Sequence, residues 1–431
     1  MEARSIFLSL SPLDHRYFLA NRILFTELSR YMSEDAVITY CVKVETALLK
    51  EYVRRMFPGD TTLCDEIDRA AGTITGDEVY EEEEKVKHNI RALVNVMKKK
   101  VPERVSHLVH LAATSVDILD TAHSLRLRDA VRKVVLPLLA EVEEKLVFFA
   151  ETEAGTPQVG RTHGQHAVPI TFGFAAAEYV SRLGKSILEI ERLSTTLKGK
   201  LAGAVGAYNA ASMVVADPEE LERAVLADLG LEPSETSTQL VEPEYVLRLL
   251  LELNTAFGII ANLADDLRHL QRSEIDEVQE FFSSSQVGSS TMPQKRNPWN
   301  SEHVKSLWKA FCPRVVTFYM DQISEHQRDL TNSASQRFIS DYVAGFCAAA
   351  ARMKQILETL HVDRDKLLSN LKSTGDLVLS EAAYILLSVE GVSDAHEIIR
   401  QVTLECRESG CTLLEGLKKR GEHWDLIRGA L

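Results

Sequence analysis

Apolar residues recur at spacings of three and four through most of the middle of the chain, the period that places side chains on one face of an α-helix. Val246, Leu249, Leu250, Leu253, Ala256, Phe257, Ile260, Leu263, Leu267 and Leu270 form one such stripe. Phe172, Ala176, Val180, Leu183, Ile187 and Ile190 form a second, and Val304, Leu307, Trp308, Phe311, Val315 and Phe318 a third. A fourth runs through Phe346, Ala349, Ala350, Met353, Ile356 and Leu357. A fifth spans Val131 to Phe149 with Pro137 inside it, which predicts a kink. Stripes this long exceed the globular mean of about three turns and need one another to bury their faces. An elongated helical bundle is the economical solution. Leu247, Leu251 and Ile259 spill outside the first stripe. A helix apolar on several sides is covered on several sides, which predicts bundles packing against each other in an oligomer.

The breaks between stripes carry their own information. Gly155 to Pro169 reads as a loop entering a helix, with His163, Gln165 and His166 in it. Gly203 to Asn209, GAVGAYN, is a small-residue turn. Ser283 to Pro298 is a long run of Ser, Gly, Pro and charge between two strong helices. Loops beyond about a dozen residues are uncommon inside compact domains and are often functional. Residues before Ala112 read as a mixed helical region whose acidic run, Glu81 to Glu84, is a solvated helix face. From Leu367 the pattern becomes shorter and more charged. The expected division is an N-terminal helical domain over 1–112, a central long-helix bundle over 113–366 and a small helical domain over 367–431.

Composition supports an all-α reading. Twenty-one glycines and 12 prolines among 431 residues fall well below the average combined share of about 12%. A net charge of −14 argues against a nucleic-acid-binding surface. The six cysteines form no CxxC pair and read as reduced thiols filling the core. Met1 to Leu10 lacks the apolar length and basic start of a signal peptide. The most apolar stretch, Tyr245 to Ala264, contains Arg248, Glu252, Asn254 and Asn262, which favours a buried helix over a membrane span. A soluble, cytoplasmic protein with no membrane partner is expected.

Four polar islands carry candidate chemistry. The first is GSSTMPQKRNP, Gly288 to Pro298, with hydroxyls at Ser289 and Ser290 followed by Lys295, Arg296 and Asn297. Donors clustered on a loop suit an anion, or negative charge that develops during reaction. The second is GRTHGQHAVPITFG, Gly160 to Gly173. Its His163 and His166 invite a metal reading, but neither an HExxH glutamate nor a nearby Cys or acidic ligand supports it. A proton-transfer histidine fits better. The third, HLAATSVDILDTA from His110 to Ala122, offers Thr114, Ser115 and Asp117. It is either a carboxylate grip at a helix start or a plain N-cap. The fourth, EHQRDLTNSASQR from Glu325 to Arg337, carries Arg328, Ser333 and Arg337. It is either a phosphate site built on forked hydrogen bonds or a salt-bridged helix surface.

Together these segments resemble one family closely, the adenylosuccinate lyases of the fumarase/aspartase superfamily. GSSxMPxKxNP, Gly288 to Pro298, is the superfamily signature. The closer likeness rests on SPLDHRY (Ser11 to Tyr17), KHN (Lys87 to Asn89), TSVDILDT (Thr114 to Thr121), GRTHGQHA (Gly160 to Ala167), GAVGAYN, KRNP and QRDLTNS. The match runs in register from Ser11 to Arg337, and the remainder contributes no motif.

The resemblance implies a three-domain, all-α fold whose long-helix bundle packs into the core of a homotetramer, with each active site drawn from three subunits. It implies β-elimination of fumarate from adenylosuccinate, giving AMP, and from the succinyl-aminoimidazole-carboxamide ribotide SAICAR, giving AICAR. The substrate is a small nucleotide, with no cofactor and no metal. In the roles carried over, Ser289 is the base, with its alkoxide stabilised by loop N–H groups and by Lys295, His163 is the general acid, and Glu302 is the carboxylate that orients His163 and supports its charged form. Lys295, Asn297, Thr114, Ser115 and Thr162 match grips for the succinyl carboxylates. Arg16, Tyr17, Arg328, Ser333 and Arg337 match phosphate and ribose positions. Lys87, His88, Asn89, His110, Asp117, Gln239, Ser290 and His303 complete the expected substrate-contacting set. Some positions depart from the pattern. Asn89 stands where the family usually has Asp, Val116 where it has Ser, and Leu240 to Glu244 lacks an arginine often found there. His303 replaces an arginine of some relatives, and Gln294 is the residue argininosuccinate lyases tend to show. An argininosuccinate lyase is therefore the alternative enzyme, and a silent helical scaffold the alternative outside catalysis.

Overall fold

The computed structural model describes residues 5–60, 62–283 and 291–430. Among these the chain is overwhelmingly helical, and its strands form three two-stranded pairings. It divides into two compact units. The first is built from 1–141, 183–261 and 303–353, the second from 142–182, 262–302 and 354–431.

The predicted stripes become the helices Phe172–Thr195, Glu244–Leu270, Trp299–Phe311 and Ile339–Thr359. The third stripe is not one helix. It stops at Phe311 and restarts as Arg314–Met320, because Pro313 has no N–H to continue the ladder and biases its predecessor away from helix. The kink expected at Pro137 takes a particular form: a π-helical turn, Val131–Val135, joins Ser115–Ala130 to Leu136–Thr152. Its i→i+5 pairing, with the Leu136 amide on the Val131 carbonyl, widens the helix just before the proline ring.

In the first unit the largely aliphatic core includes two aromatic pairs. Phe257 meets Phe346 edge to face at 5.3 Å and Phe318 meets Tyr342 at 5.7 Å, geometries that add to area burial. Glu244–Leu270 is long and apolar enough to cross a membrane, yet 56% of its most apolar window is buried in the protein and Glu252 accepts a hydrogen bond from the Ser186 hydroxyl at 2.6 Å. Leu247 and Ile259, expected to face neighbouring subunits, are buried within the chain; only Leu251 remains exposed. The apolar excess of this helix is thus largely absorbed by its own unit, which removes most of the sequence argument for an oligomer.

In the second unit the segment expected to be a loop around His163 is instead a β-hairpin, Pro157–Thr162 paired antiparallel with Gln165–Thr171. Thr162 pairs with Gln165, leaving His163 and Gly164 as a two-residue turn. Their φ values of +56° and +72° are those a primed turn demands. The register slips between Val159 and Arg161. Opposite the slip Gly160 leaves room for the Val168 carbonyl, which would lie 2.8 Å from a Cβ there. The hairpin was missed because its alternation is weak: five exposed or half-exposed polar residues surround its tip, so no period-two pattern develops.

The hairpin stands on a tight corner. The Phe172 amide donates to the Thr156 carbonyl at 3.0 Å and the Gly173 amide to the Glu153 carbonyl at 2.9 Å. Arg364 clasps the Glu153 carboxylate at 2.7 and 3.0 Å. A Cβ on Gly173 would sit 2.5 Å from the Ala154 nitrogen and 2.6 Å from the Ala150 carbonyl. Because those atoms are backbone, Gly173→Ala should destabilise the protein by about 1–3 kcal/mol, read as a lowered thermal unfolding midpoint. An unchanged midpoint would show that the two helices do not approach this closely.

Candidate active site

The second unit carries the acid–base candidates. His163 is exposed at the hairpin tip with its backbone in the left-handed region. Such backbone is uncommon for a non-glycine residue and clusters at functional sites. The base of the hairpin is fixed by a buried ionic clasp. Arg161, two residues before His163, lays its guanidinium on the fully buried Glu277 carboxylate at 2.5 and 3.0 Å. Gln158 and Asn370 donate to the same carboxylate, each at 2.9 Å. A buried charge held by four donors is compensated, and the forked Arg pairing sets orientation as well as energy. On the far side of the turn, His166 Nδ1 hydrogen-bonds the Thr374 hydroxyl.

Three residues after Glu277, Glu280 performs a second clasp. Its carboxylate accepts from the Asn300 amide and side chain at 3.2 and 2.9 Å, and from the Ser301 amide and hydroxyl at 2.8 and 2.6 Å. The two backbone amides belong to the first turn of the helix Trp299–Phe311, where a carboxylate is favoured both as a cap and by the helix dipole. Glu302 sits on that helix and is exposed. Lys295 is exposed on the preceding turn, where its amide donates to the Met292 carbonyl at 3.0 Å, and Asn297 is half-buried. Ser289 and Ser290 lie outside the described residues. Val278–Gln279, between the two glutamates, pairs with His361–Val362. An odd spacing on an extended segment sends the two carboxylates to opposite sides, so one short stretch roots both the hairpin with His163 and the helix with Glu302. No hydrogen bond joins His163 to Glu302 among the described residues of one chain.

Beneath the hairpin lies a cavity of about 750 Å³ whose lining includes Arg161, Gly164, His166, Tyr179, Asp266 and Asn370. His163, Lys295 and Glu302 are not among its lining residues.

The substrate-contacting candidates group in the first unit. Tyr17 stacks on His303, with centroids 5.7 Å apart and planes tilted by 29°. Burial holds His303 below the usual imidazole range, and the charges of Arg352 and Arg16 add to the effect. A neutral ring beside cations suits a donor or stacking role rather than a counter-ion for phosphate. Arg352 was not singled out from the sequence; a lone arginine within the fourth apolar stripe was the available signal.

Thr114 and Ser115 open the helix Ser115–Ala130 and are half-buried. Asp117 is fully buried and accepts from the Thr114 amide at 2.8 Å and the Gly203 amide at 3.3 Å. It also pairs with the fully buried Lys200, which donates to the Gly203 carbonyl at 3.1 Å. Asp117 thus ties the Thr114 turn to the GAVGAYN turn from inside, and its effect on a ligand runs through Thr114. His110 has φ +62° and its Nδ1 lies 2.6 Å from the buried Glu45 carboxylate, while Tyr52 donates to the Leu111 carbonyl at 3.0 Å. Lys87 has φ +56° at the end of Gly76–Val86, and His88 caps Asn89–Lys100 by accepting from the Arg91 amide at 3.3 Å. Asn89 follows as the first residue of that helix. The Gln239 amide donates to the Gln327 carbonyl at 3.4 Å, and Arg328, φ +75°, donates to the Gln322 carbonyl at 2.8 Å. Ser333 and Arg337 begin and end the short helix Ser333–Arg337 and are exposed. Arg16 is exposed at the start of Arg16–Ala20, and Thr162 is exposed beside His163. Among the described residues no group of three His, Cys, Asp or Glu side chains is placed to hold a metal.

Breaking the Glu277 clasp on one side leaves the half-buried Arg161 guanidinium and the Gln158 and Asn370 side-chain amides without their shared partner. Glu277→Ala is therefore expected to cost about 3–5 kcal/mol of stability. The double variant with Arg161→Met should lose less than the sum of the single changes, measured as a double-mutant cycle on unfolding midpoints. Strict additivity would show that the two side chains do not act as a pair.

Comparison with known proteins follows the same lines. A family model described as Lyase matches residues 66–315, and one described as Adenylosuccinate lyase C-terminal matches residues 324–419. The chain is 32% identical to the adenylosuccinate lyase of Pyrococcus abyssi over 96% of this chain and 91% of that protein. It is likewise 32% identical to that of Archaeoglobus fulgidus, over 95% and 90%. Among solved structures it resembles a fumarate lyase from Mesorhizobium sp. BNC1 with a TM-score of 0.81 at 23% identity, covering 93% of this chain and 91% of that one. A 3-carboxy-cis,cis-muconate lactonizing enzyme from Pseudomonas putida gives 0.77 at 24%, over 96% and 92%. These structural likenesses carry the all-α fold that the sequence predicts.

Proposed function

The chain belongs to the adenylosuccinate lyase family of carbon–nitrogen lyases, and we propose that it eliminates fumarate from adenylosuccinate, leaving AMP, and from SAICAR, leaving AICAR. The chemical problem fixes what the site needs. The proton to be removed lies next to a carboxylate, so its loss builds a doubly charged aci-carboxylate. The departing nitrogen must be protonated from the other side. A base, an acid and fixed donors around the developing charge are required.

Ser289 takes the C–H proton, its alkoxide stabilised by loop N–H groups and Lys295. His163 gives a proton to the leaving nitrogen, and Glu302 supports its charged form. Lys295, Asn297, Thr114, Ser115 and Thr162 hold the succinyl carboxylates. Arg16, Tyr17, Arg328, Ser333 and Arg337 hold the phosphate and ribose, with Lys87, His88, Asn89, His110, Gln239, Ser290 and His303 around the rest of the substrate. Asp117 contributes by holding the Thr114 amide. The observation that carries this reading is the 32% identity to an adenylosuccinate lyase over 96% of this chain. Within each chain, the clasps at Glu277 and Glu280 root the GRTHGQHA hairpin and the helix that follows the signature loop on one short segment.

The active form is a homotetramer with each site assembled from three subunits. The large apolar side chains of Phe148, Phe174 and Leu188, exposed on a single chain, support association. The three-part division near residues 112 and 366 and a cytoplasmic location belong to the same reading. Gln294 favours the alternative, an argininosuccinate lyase; the paired Arg16 and Tyr17 favour a phosphorylated substrate.

Fumarate release measured in parallel from adenylosuccinate, SAICAR and argininosuccinate decides between them. Turnover of the first two is expected; turnover of argininosuccinate alone would overturn the substrate, and turnover of none would leave the scaffold. Ser289→Ala should lower kcat by roughly 10²–10⁴ with the oligomer unchanged by light scattering. A near-normal rate would remove Ser289 as the base.

A further inference from the structure

The sequence reads the six cysteines as isolated thiols, but two of them meet in the C-terminal part of the second unit. Cys406 lies near the end of the helix Ala395–Ser409, and Cys411 follows Gly410, whose φ of +72° turns the chain back. The turn brings Cys411 Sγ to 2.9 Å from Cys406 Sγ, closer than two unlinked sulfurs rest in ordinary van der Waals contact.

The two thiols have unequal surroundings. Cys406 is 1% exposed, packed in a core with Val402, Leu413 and Leu417. Its Sγ also hydrogen-bonds the Thr412 carbonyl at 3.1 Å. A Cβ at Gly416 would lie 2.6 Å from that sulfur, so the glycine is what lets the neighbouring helix Leu413–Lys418 pass over it. Cys411 is half-exposed. The next turn is anchored as well, because the Leu413 and Leu414 amides donate to the Asp376 carboxylate at 2.7 and 2.8 Å. The pair is therefore held between two fixed helix ends rather than on a free loop.

We propose that Cys406 and Cys411 form a reversible dithiol–disulfide site, oxidised by low-molecular-weight disulfides. The Cys411 thiolate attacks one sulfur of the small disulfide, forming a mixed disulfide and releasing one small thiolate. Cys406, losing its proton to solvent, then attacks Cys411 Sγ, closing the protein disulfide and releasing the second small thiolate. Two protein thiols are oxidised and one small disulfide is reduced to two thiols. The asymmetry suits the order of steps. Cys411 is held below the usual thiol range by its hydrogen bond with Cys406, then by Ser409, with the Lys419 charge adding to it. Burial pushes Cys406 up to about 11. An accessible, low-pKa thiol attacks and a sheltered neighbour resolves. Cytosolic disulfides, where they occur, are typically transient and redox-sensing. The site stands apart from the lyase reading and does not depend on it.

The test equilibrates the full-length protein with oxidised glutathione and counts free thiols after denaturation, with peptide mass mapping under non-reducing conditions. The count should fall by two from six per chain, with one peptide linking Cys406 to Cys411 and full recovery on adding dithiothreitol. In Cys406→Ser the resolving step is lost, and one glutathione should remain attached at Cys411. An unchanged thiol count, glutathione left on wild-type Cys411 without a bridge, or a Cys406→Ser protein that takes up no glutathione would each overturn the proposal.

Discussion

A buried carboxylate that cannot be left unpaired organises the second unit. Glu277 has no access to solvent, so its charge must be met inside the protein, and Arg161, Gln158 and Asn370 meet it. Removing a charge from water costs several kcal/mol unless geometry and hydrogen bonds repay it. Here the repayment also fixes the strand that leads to His163. Glu280 does the same for the helix start that leads to Glu302. The exposed hairpin tip would otherwise be a short, weakly patterned β-ribbon, a structure marginal in isolation.

Elsewhere the same logic holds at smaller scale. Asp117 and Lys200, both fully buried, are satisfied by each other and by the amides and carbonyl of two turns. The Thr114 and Gly203 turns are therefore tied to each other by a buried charge pair. His110 stands in left-handed backbone against Glu45, and Arg328 stands in left-handed backbone against the Gln322 carbonyl. Conformations that cost energy locally recur where ligand-facing side chains are expected. On the proposed mechanism the rest of each site comes from neighbouring copies.

The long helices were legible because a period of three and four sustained over five or more turns matches the helical repeat and not the strand alternation of two. Pro137 was legible as an interruption, though not as the π-turn it took; the full break at Pro313 was not, because the apolar period of the third stripe runs on across it. Which geometry wins depends on what the flanking turns pack against. The polar islands were legible as motifs, and their family likeness agrees with the relatives at 32% identity. The hairpin around His163 was not, since exposed residues on both faces erase strand alternation. Glu277, Glu280 and Lys200 were missed for a related reason: a single charged residue in a polar stretch looks solvated until folding shows what surrounds it. The Cys406–Cys411 approach depends on a left-handed glycine that spacing alone does not reveal. The C-terminal part carried no motif visible by eye, although a family model matches 324–419. Ile399, Val402 and Leu417 there are buried core positions, and apolar packing residues make no short signature.

Convergence of these clusters across copies is the central claim, and mixed assemblies test it. Ser289→Ala and His163→Gln proteins, each inactive alone, would be dissociated together, reassembled and assayed for fumarate release from adenylosuccinate. If the serine and the histidine of one site come from different subunits, some sites in the hybrids regain both groups, and activity rises well above that of either parent. Hybrids that form, as native mass spectrometry would show, yet remain as inactive as their parents would contradict a site shared between subunits.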